Sequence, residues 1–163
     1  MDLEGYKTEI KSLHDRLDMW CNYLLGFIGK EIGEEAVGRA MGGLCNDIYR
    51  ERFLPFKKMT PKERFENLCR SQVANFTKFE TEEDDKSYRI IVKECGSGGM
   101  IKREGLDKKY GAITSKAYPW NFDRPGVPYY CSHASFFNKF FKEFRVGIEV
   151  IYNDDYCVYV VYK

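Results

Sequence analysis

Histidine is scarce: the 163 residues contain only His14 and His133. Neither sign of charge is in excess, with 26 Lys and Arg against 25 Asp and Glu and a net charge of +1. That balance removes the electrostatic footprint that a nucleic acid or an anionic membrane surface would need. No apolar run approaches the length of a membrane span, and the first thirty residues lack the order of an export signal. The expectation is a soluble cytoplasmic protein with neither a nucleic-acid nor a membrane partner. Six cysteines, at positions 21, 45, 69, 95, 131 and 157, would suit three disulfides in an exported chain. Without an export signal they read as reduced thiols, and Cys21, Cys45 and Cys69 fall inside helical patterns as small apolar residues.

Aromatic side chains are abundant instead, with 12 Tyr and 12 Phe, enough to wall a pocket as well as to pack a core. The length suits one domain, 1–163, that needs no disulfide to hold its core. Residues 1–76 read as mainly helical. Ile10, Leu13, Leu17, Trp20, Leu24 and Phe27 recur at three- and four-residue steps, the pattern of an amphipathic helix over about 3–30. A second helix spans about 34–53. Its small residues Ala36, Gly38, Ala40, Gly42 and Gly43 suit a close approach to another helix or a ligand, or a homodimer interface. Thr60-Pro61-Lys62-Glu63 carries an N-cap, a proline at the first helical position and an acid at the third, opening a helix to about residue 76.

The pattern changes to strands in 77–163. Segments 78–83 and 87–95 flank an Asp84-Asp85-Lys86 turn, and Tyr88, Ile90 and Val92 give the second strand one wholly apolar face. A long loop over 96–127, rich in Gly, Pro and aromatics, precedes a short helix over about 132–144. Strands 146–152 and 156–162 close the chain around Asn153-Asp154-Asp155. Hairpins imply an antiparallel sheet, so the fold class is α+β: N-terminal helices packed on a small antiparallel sheet, with a ligand pocket between them.

The chemistry concentrates in the second half. Cys95 ends a strand and runs into Gly96, Ser97, Gly98 and Gly99; Cys131 stands two residues before His133 at a helix start; Cys157 lies on the last strand. Two chemistries fit this set. Cys95, Cys131, His133 and Cys157 could hold Zn or Fe, three ligands with an open position being catalytic and four structural. Alternatively Cys95 is a nucleophile, with Cys131 beside it and His133 as its base. The amides of Gly96, Ser97, Gly98 and Gly99 would then stabilise an oxyanion, glycine supplying the backbone angles of such a nest. The same CGSGG stretch also reads as a plain glycine-rich turn with Cys95 packed inward. His14 pairs with Asp18 one helical turn away, as a solvated contact or as a pocket residue. The aromatic segment around Trp120 and Tyr130 reads as a lid or pocket wall, with Arg124 and Lys116 the cations best placed for an anionic ligand.

The segments IGEEAVGRA, CGSGG, YYCSH and VGIEVIYNDDYCVYV together resemble the L-2-amino-thiazoline-4-carboxylic acid hydrolase-like family, itself similar in layout to 4-vinyl-reductase-type small-molecule-binding domains. The resemblance covers the chain from about residue 20. It matches the family's final hairpin, a turn followed by a cysteine, to Asn153-Asp154-Asp155 and Cys157, without the family's turn glycine. It implies an α+β domain with an internal ligand pocket bordered by that hairpin, and a hydrolase opening the C–N bond of a small cyclic amidine or amide. The rival expectation is a non-catalytic domain that binds a small molecule or metal and reports on it.

Overall fold

Asp2 caps the first helix, its carboxylate accepting the Gly5 N–H at 2.9 Å, and α1 then runs unbroken through Leu3–Glu31. The structure, a computed structural model, describes residues 2–154 and 156–163; Asp155 of the expected final turn lies outside the described residues. Helix α2 spans Glu34–Leu44. A π turn at Cys45–Tyr49, α3 at Arg50–Phe53 and a 3-10 segment at Leu54–Lys58 continue it. The single helix expected over 34–53 is therefore present with one widened turn, where the Arg50 N–H reaches back to the Cys45 carbonyl. Helix α4, Pro61–Ala74, starts as its sequence dictates. The Thr60 N–H donates to Glu63 Oε2 at 2.7 Å and the Glu63 N–H donates to Thr60 Oγ1 at 3.3 Å, which satisfies two orphan donors reciprocally.

Strands β1 (Lys78–Glu83) and β2 (Ser87–Glu94) form the first hairpin. Asp84 Oδ1 accepts the N–H groups of Lys86 and Ser87 and so fixes its turn. Two short helices follow, α5 at Gly99–Arg103 and α6 at Leu106–Lys109. They correct the expected structureless loop over 96–127. Met100, Ile101 and Leu106 pack there with Met19, Tyr110 and Tyr130, a cluster whose helices are too short to show periodicity in sequence. A 3-10 turn at Tyr129–Ser132 leads into α7, His133–Phe144, and β3 (Ile148–Tyr152) and β4 (Cys157–Tyr162) end the chain. The sheet order is β1-β2-β4-β3, antiparallel at every pairing.

One face of this sheet presents Ile90, Val92, Ile148, Val150 and Val161 to the core. The phenylalanines of α7 at 136, 137, 140, 141 and 144 join it in one core cluster, each buried ring contributing about 2 kcal/mol of transfer free energy. Asn138 staples the two layers by donating to the Val150 carbonyl and accepting its N–H. The aromatic segment folds back as its composition suggests, but onto helices: a Cβ on Gly38 would stand 2.5 Å from the Trp120 indole nitrogen. Gly42 faces Phe136, whose ring a Cβ there would meet at 3.2 Å, so Gly38 and Gly42 of α2 are occupied within the chain, while Ala40 and Gly43 stay exposed.

Helix α1 departs furthest from its pattern. An amphipathic stripe ordinarily faces the core, yet Ile10, Leu13, Leu17, Trp20, Leu24 and Phe27 are all exposed. The helix docks by its other side, through Asp18, Asn22, Leu25 and Gly26. Small residues set that choice, because a Cβ on Gly26 would stand 2.4 Å from the Tyr110 carbonyl oxygen and one on Gly29 would stand 2.7 Å from the Tyr129 ring. No described helix is long and apolar enough to cross a membrane.

Candidate functional site

Helices and sheet do not close completely on each other. A cavity of about 600 Å³ lies between them, walled by side chains of α1, α2, α3, α4 and α7 and by Tyr159 of β4. Leu24, Leu25, Met41, Phe53, Leu68 and Phe137 make most of it apolar, while Cys95, Ser97, Tyr130 and His133 bring polar atoms to one side. A second cavity of about 280 Å³ adjoins it and is lined by Gly98, Gly99, Lys102, Cys131, Tyr152 and Cys157. Gln72, Cys95, Tyr130, His133 and Tyr159 border both spaces. The topology thus brings Cys95 and His133, 38 positions apart in sequence, to one wall.

Strand β2 ends at Glu94 and delivers Cys95 into a tight turn. Gly96 is required there by a close approach, since a Cβ would fall 1.4 Å from the Asn75 carbonyl oxygen. The expected oxyanion nest is not formed. Gly96 donates to Thr77 Oγ1 at 3.1 Å, Gly98 to the Cys95 Sγ at 3.3 Å and Gly99 to the Cys95 carbonyl at 2.8 Å. None of these three glycines has a positive φ, whereas a nest needs a left-handed residue to converge successive amides. The Gly98 N–H meets the cysteine sulfur instead of a substrate oxygen.

His133 begins α7, and its Nδ1 lies 2.6 Å from the Tyr130 carbonyl oxygen. That oxygen can only accept, so Nδ1 carries the proton and Nε2 is left as an acceptor. Burial lowers its pKa, partly opposed by this hydrogen bond, and the ring is neutral near pH 7. Burial pushes the thiols the other way: Cys131 is raised and Cys157 is pushed up to about 12. Both thiols are held in their protonated form near neutral pH, and an attacking or ligating cysteine would first have to give up that proton. Among the described residues no three or more His, Cys, Asp and Glu side chains stand together in a group that could hold a metal ion. The expected Zn or Fe set of Cys95, Cys131, His133 and Cys157 borders one cavity without converging on one point.

Behind the polar wall runs a chain of contacts from α1 to the cysteine turn. Tyr130 Oη donates to Asp18 Oδ1 at 2.7 Å, Asp18 Oδ2 stands 3.3 Å from His14 Nδ1, and His14 Nε2 lies 3.1 Å from Asn75 Oδ1. Asn75 Nδ2 then donates to Ser97 Oγ. His14 therefore supports the wall without lining either cavity, which corrects its expected place in the pocket. Trp120 and Arg124 also stand apart from both cavities: the indole stacks on Tyr118, and the guanidinium pairs with Asp154. Tyr130 is the member of that aromatic segment that reaches the site. Arg52, Gln72, Asn75 and Tyr159 line the large cavity without having been singled out in sequence. Nothing in a lone arginine of an amphipathic helix distinguishes it from a solvated one.

Desolvation raises the Asp18 carboxyl above its ordinary 3.8, with the Tyr130 hydrogen bond and His14 opposing. A raised acid binds more protons folded than unfolded, so its contribution to stability falls as pH rises from about 3.8 through the raised value. Asp18→Asn keeps an acceptor for Tyr130 and removes that loss. The urea midpoint of the variant should gain on the wild type between pH 4 and pH 7; parallel pH profiles for the two proteins would overturn the assignment.

Compared with protein-family models, curated proteins and solved structures, the chain matches none.

Proposed function

We propose that the chain is a small-molecule-binding domain whose ligand occupies the large cavity with an apolar body and directs an anionic end toward Arg52. The observation that carries this reading is the lining itself. It falls in the range of small-molecule sites in size, it is mostly apolar, and its described residues include Arg52 and no Asp or Glu. An anionic ligand would meet a cation there and no opposing carboxylate. Cys95, Ser97, Tyr130 and His133 supply short-range donors and acceptors for a polar group within the same space.

Dansyl-undecanoic acid and its methyl ester test the proposal by fluorescence. The acid should bind at least about tenfold more tightly than the ester, the effect of one charge-assisted contact, and Arg52→Met should erase the difference. Ser71→Trp, which places an indole at an exposed position on the cavity lining, should abolish binding of both. Equal binding of acid and ester by the wild type, or binding that survives Ser71→Trp, would overturn it.

A second reading is favoured by one observation. Cys95 and a neutral His133 with an unprotonated Nε2 border the same two cavities, as a cysteine hydrolase of the resembled family would require. The lost oxyanion nest weighs against it, and accessibility of the Cys95 thiol is what it needs first.

A further inference from the structure

The exposed stripe of α1 is longer and more regular than an ordinary surface accident. Leu3, Ile10, Leu17 and Leu24 are spaced by seven residues, and Tyr6, Leu13, Trp20 and Phe27 interleave with them at the same spacing. This is a strict heptad pattern with apolar a and d positions over four repeats. A straight helix of 3.6 residues per turn drifts about 20° per heptad against such a pattern, so the repeat suits a supercoiled partner helix rather than a globular surface. We infer that α1 pairs with α1 of a second copy of this chain as a parallel two-stranded coiled coil.

Three further observations select that occupant. The eight seam residues expose from 52% to 72% of their surface. Buried against a copy they would remove on the order of 1,500 Å² from water, inside the range of roughly 1,200–2,000 Å² of specific stable interfaces. Second, the flanking charges fit a parallel register. Asp2 at g faces Lys7 at e of the other copy, whereas an antiparallel pair would set Arg16 against Arg16 across the axis. Third, α1 mixes Lys7, Lys11, Arg16 and Lys30 with Glu4, Glu9, Asp15, Asp18 and Glu31, unlike the Lys- and Arg-rich polar face of a helix that lies on a bilayer. The twofold pairing consumes both seams and leaves none open for further growth. Leu24 is both a seam residue and part of the large cavity's wall, so the partner helix would close over that part of the site.

Sedimentation velocity on the full chain at micromolar concentration should give twice the 19.2 kDa of the monomer. The double substitution Leu17→Glu with Trp20→Glu should give the monomer, while Val73→Glu, on an equally exposed apolar residue of α4, should leave the dimer. Leu17→Cys in a Cys21→Ser background tests the register without relying on the charged variant's folding: a parallel pair sets the introduced thiols opposite each other, and mild oxidation should yield a cross-linked dimer. A monomeric wild type, a dimer that survives the glutamates, or no cross-link would overturn the inference. A monomer that floats with phosphatidylcholine–phosphatidylglycerol vesicles would do so in favour of a bilayer surface.

Discussion

Gly96→Ala is expected to lower the melting temperature by about 10 °C, the consequence of roughly 3 kcal/mol of overpacking in a chain of this size. The added methyl would fall 1.4 Å from the Asn75 carbonyl oxygen and 2.9 Å from the Thr77 amide nitrogen, both backbone atoms that cannot swing aside as a flexible side chain would. Relief requires the turn after β2 to separate from the C-terminal end of α4. That movement would break the Gly96 bond to Thr77 and the Asn75 bond to Ser97. Gly98→Ala is the matched control, since its methyl would meet only the Cys131 sulfur at 3.7 Å and a Tyr130 ring carbon at 4.0 Å, ordinary van der Waals distances. Its melting temperature should stay within about 2 °C of the wild type. Similar losses in both variants would mean that the turn tolerates no side chain for a reason other than the Asn75 contact. Little loss in Gly96→Ala would mean that the approach relaxes freely.

The contrast between these glycines shows where sequence reasoning reaches its limit. Three glycines in four residues mark a place where the chain turns tightly, but composition does not say whether glycine serves a left-handed φ or a close contact. Here only Gly96 is demanded, and by a contact with a residue 21 positions away. Local signals fared better. The Thr60–Glu63 box, the Asp84 turn and the alternation of Ile90 and Val92 are complete within a few residues, and each appears as its chemistry dictates. The pairing of β2 with β4 and the convergence of Cys95 with His133 on one wall depend on how two hairpins and α7 dock. The heptad stripe of α1 was visible as an apolar pattern, yet periodicity alone gives no account of which surface the pattern meets. Gly26 and Gly29 decide that by letting the opposite face approach Tyr110 and Tyr129.

Iodoacetamide at pH 8 should divide five of the six thiols of the native protein into two classes, with the half-buried Cys69 of α4, whose pKa burial also raises, between them. Burial pushes Cys45 and Cys157 up to about 12 and raises Cys131 as well, against the pull of Lys102. A thiol at 12 is about 10⁻⁴ thiolate at pH 8, against roughly a quarter for an ordinary cysteine, so these three should react about a thousandfold more slowly. Cys21 is exposed on α1 and labels by access, even though burial of its thiol and the neighbouring Asp18 raise its pKa. Cys95 differs in position: its sulfur accepts the Gly98 N–H and borders both cavities. Labelling followed by peptide mass spectrometry should therefore find Cys21 and Cys95 modified first. Dansyl-undecanoic acid bound in the large cavity should protect Cys95 and Cys21, which both line it, and leave the half-buried Cys69, which lines neither cavity, unchanged. Protection of neither would separate the cavity ligand from the cysteine wall. A Cys95 that resists reagent in the empty protein would remove the nucleophile from the hydrolase reading and leave the cavity as a binding site. Rapid labelling at Cys95 with protection by the acid would put a reactive thiol and an apolar, anion-accepting space in one site, the combination that a covalent opening of a cyclic amidine carboxylate requires.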